Sequence, residues 1–585
     1  MQSHLRSYIG YSTKIVVFFK HFLIINILFI SFAYPLSNTN EENYIRINAN
    51  NSEIDSYAMQ KAFEAEILVK NQEYDKAAKI YQELSIKSDD PEIAKRATQL
   101  AGYANNYELM IKSSDRWLYL AEDKTTVRHI RISIFLSLDK IEFATKETLR
   151  VIKNSKDKDR FALVYDTIKV FDDSAIKKIF DKVYAKYKNE YLAHFYYVQV
   201  LLNNNEYEEA IKIVNKAYRF EEFNKKESRW GIFLADAYNE LGKKELSIST
   251  LKEYLSYSPK DLYLNQYYAR ILTLHEKYEE AIKHYRFMSA NKLIDFSDPS
   301  VAKKMALLNI EAKKFIDATT FIESLNDKDI NSYNYLYGVF NFKKNKYKKA
   351  EIFFKKVEQN NNNYINAVKR ISKIKIENEE FDSLKKFFKL QYNNIQNNKD
   401  LEIRLILVET EIFFNEEKYD HSMNRINYGL EKYNDNGSFL YTRALVAEQL
   451  NRMDILENDL KKLIKLEPKN AQALNALGYT WANKNINLNE AHEYIDKALI
   501  LEPNDAAILD SKGWVLYRLG SYKKAEKYFV RALKLSEDSE IISHFIQLLI
   551  KLNKINKAKK IYAKYIKIKP KDKKLNELKK ILNEI

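Results

Sequence analysis

A chain of 585 residues is too long for a single compact core, and its 46% hydrophobic and 30% charged residues belong to a folded protein. Only 10 glycines and 7 prolines are present, too few for the tight turns of a large sheet protein, which leaves a mostly helical chain. There is no cysteine, which excludes disulfides, thiolate metal sites, a cysteine nucleophile and a lipidated N-terminal cysteine, and the formal charge of +16 comes from scattered lysines rather than one basic stripe, so no nucleic-acid partner is expected.

Residues 1–33 contain no acid. Arg6, Lys14 and Lys20 precede an apolar run from Phe22 to Ala33 that ends in Ser31-Phe32-Ala33. This is the layout of a secretory signal peptide. The apolar core is shorter than the roughly 20 residues of a membrane span. An uncleaved inner-membrane anchor is the alternative, and the only membrane contact expected. Either reading exports the chain, as a periplasmic protein that is soluble or anchored and not a lipoprotein. Residues 34–57 are polar and read as a linker.

From residue 58 onward the chain repeats itself with a period near 34. Residues 58–400 carry weak copies: Ala77 with Tyr81, Ala210 with Val214 and Ala217, Ala281 with Tyr285, and Ala318 with Ile322. Segments 92–124, 125–156, 157–190 and 365–398 show helical periodicity with few signature residues. Residues 401–572 are clearer. Ala471–Asp505 has Leu474, Leu477, Gly478, Trp481, Ala491, Ile495, Ala498 and Pro503, with one residue inserted in the turn 483–489. Ala506–Ser539 has Leu509, Gly513, Leu516, Gly520, Tyr522, Ala525, Phe529 and Ala532. Residues 573–585 read as a final capping helix.

These residues resemble the tetratricopeptide pattern, with a small residue at position 8, alanine at 20, a bulky residue at 24 and proline at 32. The resemblance implies an all-α fold, an α-solenoid of about fourteen antiparallel helix pairs. Short side chains at positions 8 and 20 let paired backbones approach, and bulky residues at 24 fill the gap to the next repeat. Pro259, Pro468, Pro503 and Pro570 fall between repeats and Pro91 and Pro299 at boundaries, where a helix cannot continue through the ring. Gly242 and Gly520 fall at turns within pairs.

No catalytic constellation is visible. H-E-x-x-H, phosphate-binding glycine loops and G-x-S-x-G are all absent, and His275-Glu276 and His492-Glu493 read as helix-surface pairs. No cofactor or metal is expected; an unrecognised enzyme site in 92–224 is a lesser alternative. A repeat array of this kind binds other proteins along the first helices of its pairs. Groove positions in the two clearest repeats are Asn475, Tyr479, Asn483, Asp510, Trp514, Tyr517 and Arg518. Trp, Tyr and Arg dominate interface energies, although Trp514 and Tyr517 are also read as packing residues. The carboxylate-clamp subtype is not matched, because Tyr479, Ser511 and His544 stand where it needs Asn, Asn and Arg, and Asn475 where it needs Lys.

The stretch Leu474–Gly520, with Ala476-Leu477-Gly478-Tyr479-Thr480 and Leu509 to Gly520, is similar to proteobacterial envelope repeat lipoproteins that serve as adaptors of a carboxyl-terminal processing protease. That resemblance implies an envelope scaffold presenting proteins to a protease. It departs from those relatives in lacking the anchoring cysteine. A repeat-containing assembly factor for outer-membrane or polysaccharide biogenesis is the alternative role.

Overall fold

The computed structural model describes residues 52–155, 159–221, 223–224, 227–395, 398–570 and 572–583. The signal or anchor segment 1–33 lies outside the described residues. The first helix, Ser52–Lys70, begins inside the stretch read as linker, where apolar periodicity is too sparse to announce a helix. The described residues are helices joined by short turns, 31 helices in all. They form two compact units divided between Ser324 and Leu325. The boundary at 400/401, drawn where the repeat pattern sharpens, falls inside the second unit.

The first unit holds eight antiparallel helix pairs, from Ser52–Lys70 with Tyr74–Lys87 to Pro299–Glu311 with Phe315–Glu323. Residues 92–224 are helix pairs within it, of which Arg160–Ile168 with Asp173–Tyr187 is the irregular one. A ring cluster around the fully buried Trp230 fills its centre, with Phe195, Phe223 and Phe233 within 6.0 Å and the indole N–H donating to Tyr191 Oη at 2.6 Å. The second unit holds seven pairs, from Ile330–Lys343 with Tyr347–Phe354 to Ser539–Lys551 with Ile555–Ile568, and ends in the helix Lys573–Asn583. The array therefore has fifteen pairs and a closing helix.

Each hairpin is closed by the contact its small residues permit. A Cβ on Gly231 would lie 2.4 Å from the Tyr254 ring, one on Gly338 2.4 Å from Phe354, and one on Gly513 2.7 Å from Phe529. The bulky residue at position 24 thus sits first on the glycine of its own pair, a closer role than filling the gap to the next repeat. Alanines at position 20 seal the same crossings; Ala77, Ala281, Ala350, Ala491, Ala525 and Ala558 are completely buried. A larger side chain at these places would force the helices apart.

The helix ends explain the rest of the repeat. Pro91 and Pro299 occupy the first turn of their helices, behind the capping side chains of Asp90 and Asp298. Pro259, Pro468, Pro503 and Pro570 lie in breaks between pairs. Pro35 lies outside the described residues. Within pairs, a residue in the turn takes a left-handed backbone in every case but that between Arg160–Ile168 and Asp173–Tyr187. Gly242 and Gly520 do so at φ 70° and 74°, as expected, but so do Gln72, Asn105, Asp139, Asn205, Glu276, Lys313, Asn345, Glu379, Glu417, Asn451, Asn485 and Asn553. The N–H that follows then reaches back five residues, as in Ser521 to Leu516 and Lys554 to Leu549, both at 2.8 Å. This is the Schellman closure, which satisfies the last carbonyls of the first helix. Glu276 in such a turn means that His275-Glu276 closes a helix rather than lying along one. The residue inserted in 483–489 is absorbed by a second left-handed residue, Asn487 at φ 44°.

Glycine is missing from most of these turns; Asn and Asp tolerate the left-handed region, but Gln72, Glu276, Lys313, Glu379 and Glu417 hold a strained conformation. Glu379 is exposed, with φ 59°. A left-handed side-chain-bearing residue costs about 1–2 kcal/mol relative to glycine, partly offset by glycine's greater freedom in the unfolded chain. Glu379→Gly is therefore expected to stabilise its repeat by roughly 0.5–1 kcal/mol, read as slower amide exchange in helix Tyr364–Glu377. Faster exchange there would show that the strain is relieved in some other way.

Candidate functional site

The groove positions named from the sequence lie on Ala471–Lys484 and Ala506–Arg518, the middle two of four successive first helices of the second unit that begin with Gly437–Gln449 and end with Ser539–Lys551. Asn470 and Asp505 cap the middle two. Residues one period apart meet across neighbouring helices, as where the His544 imidazole and the Asp510 carboxylate share a hydrogen bond, Nδ1 to Oδ2, at 2.8 Å. Tyr479 reaches past a whole helix, donating from Oη to Glu540 Oε1 at 2.6 Å. Only side chains on one wall, curved toward its own interior, can make such a contact.

The seven predicted residues divide into two groups. Asn475, Tyr479, Asp510 and Trp514 are buried, at 6%, 8%, 4% and 4% exposure, and are not open groove side chains. Trp514 is a packed residue: its indole stacks on His544 at 4.1 Å and 17° and on Tyr517 at 5.0 Å and 9°. Asn483 is exposed, and Tyr517 and Arg518 are half-buried. The Arg518 guanidinium lies 4.7 Å from the Trp514 ring centre and donates from Nη2 to the Asn483 carbonyl at 3.0 Å. Arg518, Tyr517 and Asn483 form the accessible edge above a packed aromatic floor. Ser511, at a clamp position, is spent on its own helix, donating to the Ala507 carbonyl at 2.9 Å.

The wall is more acidic than the seven residues indicate. Glu540 also pairs with Lys574 of the closing helix at 2.7 Å. Burial would raise its pKa, but the Lys574 ammonium and the Tyr479 hydroxyl outweigh that and hold it at about 2. Glu448 has the opposite fate: burial and then the charge of Glu540 push it up to about 7. Burial also raises Asp510, against the pull of His544. The Tyr479 hydroxyl is held well above its ordinary value by burial and by the nearby charges of Glu540, Asp510 and Glu448. Glu448 was legible: it occupies position 12 of its repeat, where Tyr517 stands in Ala506–Ser539. Glu540 stands at position 2 of a repeat whose groove residues were not named from the sequence, and Lys574 lies outside the repeats.

His492 and Lys512 belong to a separate charged contact. Lys512 Nζ lies 2.7 Å from His492 Nε2 and 2.5 Å from Asp496 Oδ1. Among the described residues no group of three or more His, Cys, Asp or Glu side chains is placed to hold a metal ion. No described helix is long and apolar enough to cross a membrane.

Comparison with known proteins agrees with the geometry. Residues 506–539, 232–261 and 547–572 match tetratricopeptide-repeat family profiles, the first with the bounds read from the sequence. A TPR repeat-containing protein of Pseudomonas aeruginosa is 43% identical over 145 residues, a quarter of each chain. A protein O-mannosyl-transferase of Mus musculus is 30% identical over 99 residues, 16% of this chain and 10% of that one. The chain thus spans a quarter or less of the length of these relatives. Among solved structures, a TPR protein of Thermus thermophilus is 21% identical, covers 31% of this chain and 100% of its own, and has a TM-score of 0.30. A tetratricopeptide repeat protein from Parabacteroides merdae is 14% identical, covers 43% of this chain and 98% of its own, and has a TM-score of 0.35. The protein carries tetratricopeptide repeats, the architecture of an interaction scaffold.

Proposed function

We propose that the protein is a non-catalytic adaptor of the bacterial cell envelope that grips other polypeptides along the inner wall of its last repeats. The observation that carries this reading is the row of polar and aromatic side chains repeating at one period, edged by accessible Asn483, Tyr517 and Arg518 above the Trp514 floor. Stacked repeats bury their hydrophobic faces on one another and leave such a wall for a ligand. The export-like segment 1–33 supports an envelope location. The likeness of Leu474–Gly520 to envelope adaptors supports a carboxyl-terminal processing protease, or the substrates brought to it, as partner.

The test is affinity capture from an envelope extract with the full chain as bait. A protease recovered with the chain is the expected result, and a transport or assembly component would move the role to envelope biogenesis. Arg518→Glu should leave far-UV circular dichroism unchanged, because the side chain is half-buried and bonds only to a carbonyl at the edge. It should weaken capture roughly tenfold or more if Arg518 is a central contact. Capture at wild-type strength would remove Arg518 from the site.

A further inference from the structure

Three side-chain oxygens on successive first helices are enclosed and have no hydrogen-bond partner among the described residues: Glu448 Oε2, Asn475 Oδ1 and Asp510 Oδ1. Buried acceptors are ordinarily satisfied, and one left unmade is destabilising. Two donors of the same wall, Trp514 Nε1 and Arg518 Nε, are likewise enclosed without a partner; the other donors nearby are committed elsewhere. His544 is on the other oxygen of Asp510, Tyr479 and Lys574 are on Glu540, and Arg518 bonds the Asn483 carbonyl. Lys484, on the Glu448 side, is exposed. Against those two donors the wall has three unmet acceptors, and two of the three belong to carboxyl groups.

A ligand that completes this arrangement must bring donors and positive charge. A lysine ammonium brings three N–H groups and an arginine guanidinium five. We propose that the inner wall of Gly437–Gln449, Ala471–Lys484 and Ala506–Arg518 opens at the half-buried Glu448 to receive a lysine or arginine side chain of a bound polypeptide, with Glu448 and the deeper Asp510 supplying the charge and Asn475 a neutral acceptor. The proposal rests on the reading of this wall as a polypeptide-binding groove and names the chemistry that the groove selects. The elevated pKa of Glu448 fits a carboxyl whose counter-ion arrives with the ligand. The formal charge of the whole chain, +16, works the other way. Long-range attraction alone would favour an acidic peptide, so a basic preference can come only from contacts in the groove.

The experiment uses the full chain and three short fluorescein-labelled peptides on one extended Ser/Gly backbone, with Lys, Gln or Glu at every third position. Fluorescence anisotropy is read at about 0.15 M salt, where long-range fields are screened beyond about 8 Å. The Lys peptide should bind at least tenfold more tightly than the Gln peptide, and the Glu peptide most weakly. Glu448→Gln and Asp510→Asn are close to isosteric and should each weaken the Lys peptide roughly tenfold, with less than a twofold effect on the Gln peptide. Equal binding of Lys and Gln peptides, preference for Glu, or binding of none of the three overturns the proposal. Captured envelope partners lost on Arg518→Glu would then show that the groove reading survives it. Failure of both experiments would remove the groove itself.

Discussion

Gly513→Leu is expected to open the hairpin Ala506–Arg518 with Tyr522–Leu535 and leave distant repeats folded. Even a methyl group at Gly513 would lie 2.7 Å from Phe529 Cε1 and 2.8 Å from Cδ1, inside contact distance. The ring has nowhere to retreat. Phe529 is fully buried and lies beside His544 and Phe545 of the next repeat. Overpacking of this kind costs roughly 1–3 kcal/mol. In a stacked array repeats pack mainly on their neighbours, the Tyr479–Glu540 hydrogen bond being a longer reach, so the loss is local. Amide protection should fall in residues 506–551 and persist in residues 52–324. Gly520→Ala is the control: φ is +74° and nothing lies within 4 Å of its Cβ, so only backbone strain of about 1 kcal/mol is added. Uniform loss of protection along the chain after Gly513→Leu would contradict nearest-neighbour stacking. Equal effects of the two substitutions would contradict the packing role assigned to Gly513.

The repeats were legible because their spacing follows from sterics. A glycine or alanine at a helix crossing and a ring one helix later are one-dimensional signals, as Gly513 with Phe529 and Gly338 with Phe354 show. Proline reports where helices stop for the same reason. The left-handed turns were legible only at Gly242 and Gly520, since Glu276, Lys313, Glu379 and Glu417 carry no mark of a positive φ. Their conformation is set by hairpin closure from both sides, which overrides local preference. The site was half legible. Position within the repeat put Asn475, Tyr479, Asp510 and Trp514 on one wall, but position alone does not say how tightly that wall closes. Tyr479 reaching Glu540 two repeats on, and His544 filling the space over Trp514, depend on curvature. The charge state of Glu448 depends on Glu540 in a repeat 92 residues away, which no local pattern carries.

Glu448→Gln is expected to stabilise the last repeats at pH 8 and to do almost nothing below pH 5. The carboxyl titrates near its ordinary 4.5 when the chain is unfolded and at about 7 when folded, raised by burial and by Glu540. Between those values the folded chain holds a proton that the unfolded chain has lost, so stability falls as pH rises through the window. Each unit is worth 1.36 kcal/mol, which makes the full loss above pH 7 on the order of 3 kcal/mol. Glu540 acts in the reverse sense. Its folded value of about 2 contributes stability that is present above 4.5 and lost as pH falls toward 2. Thermal melts or amide exchange of helix Gly437–Gln449 at pH 5 and pH 8 should show the variant gaining only at the higher pH. An equal gain at both would mean that the enclosed oxygen, not its charge, is what destabilises the wall. The Lys peptide should raise the stability of the parent chain at pH 8 and that of the variant much less, because a cation in the groove matters only where a carboxylate is there to meet it. A variant that is more stable yet binds more weakly separates the fold from the function, since no loss of structure can account for the loss of ligand.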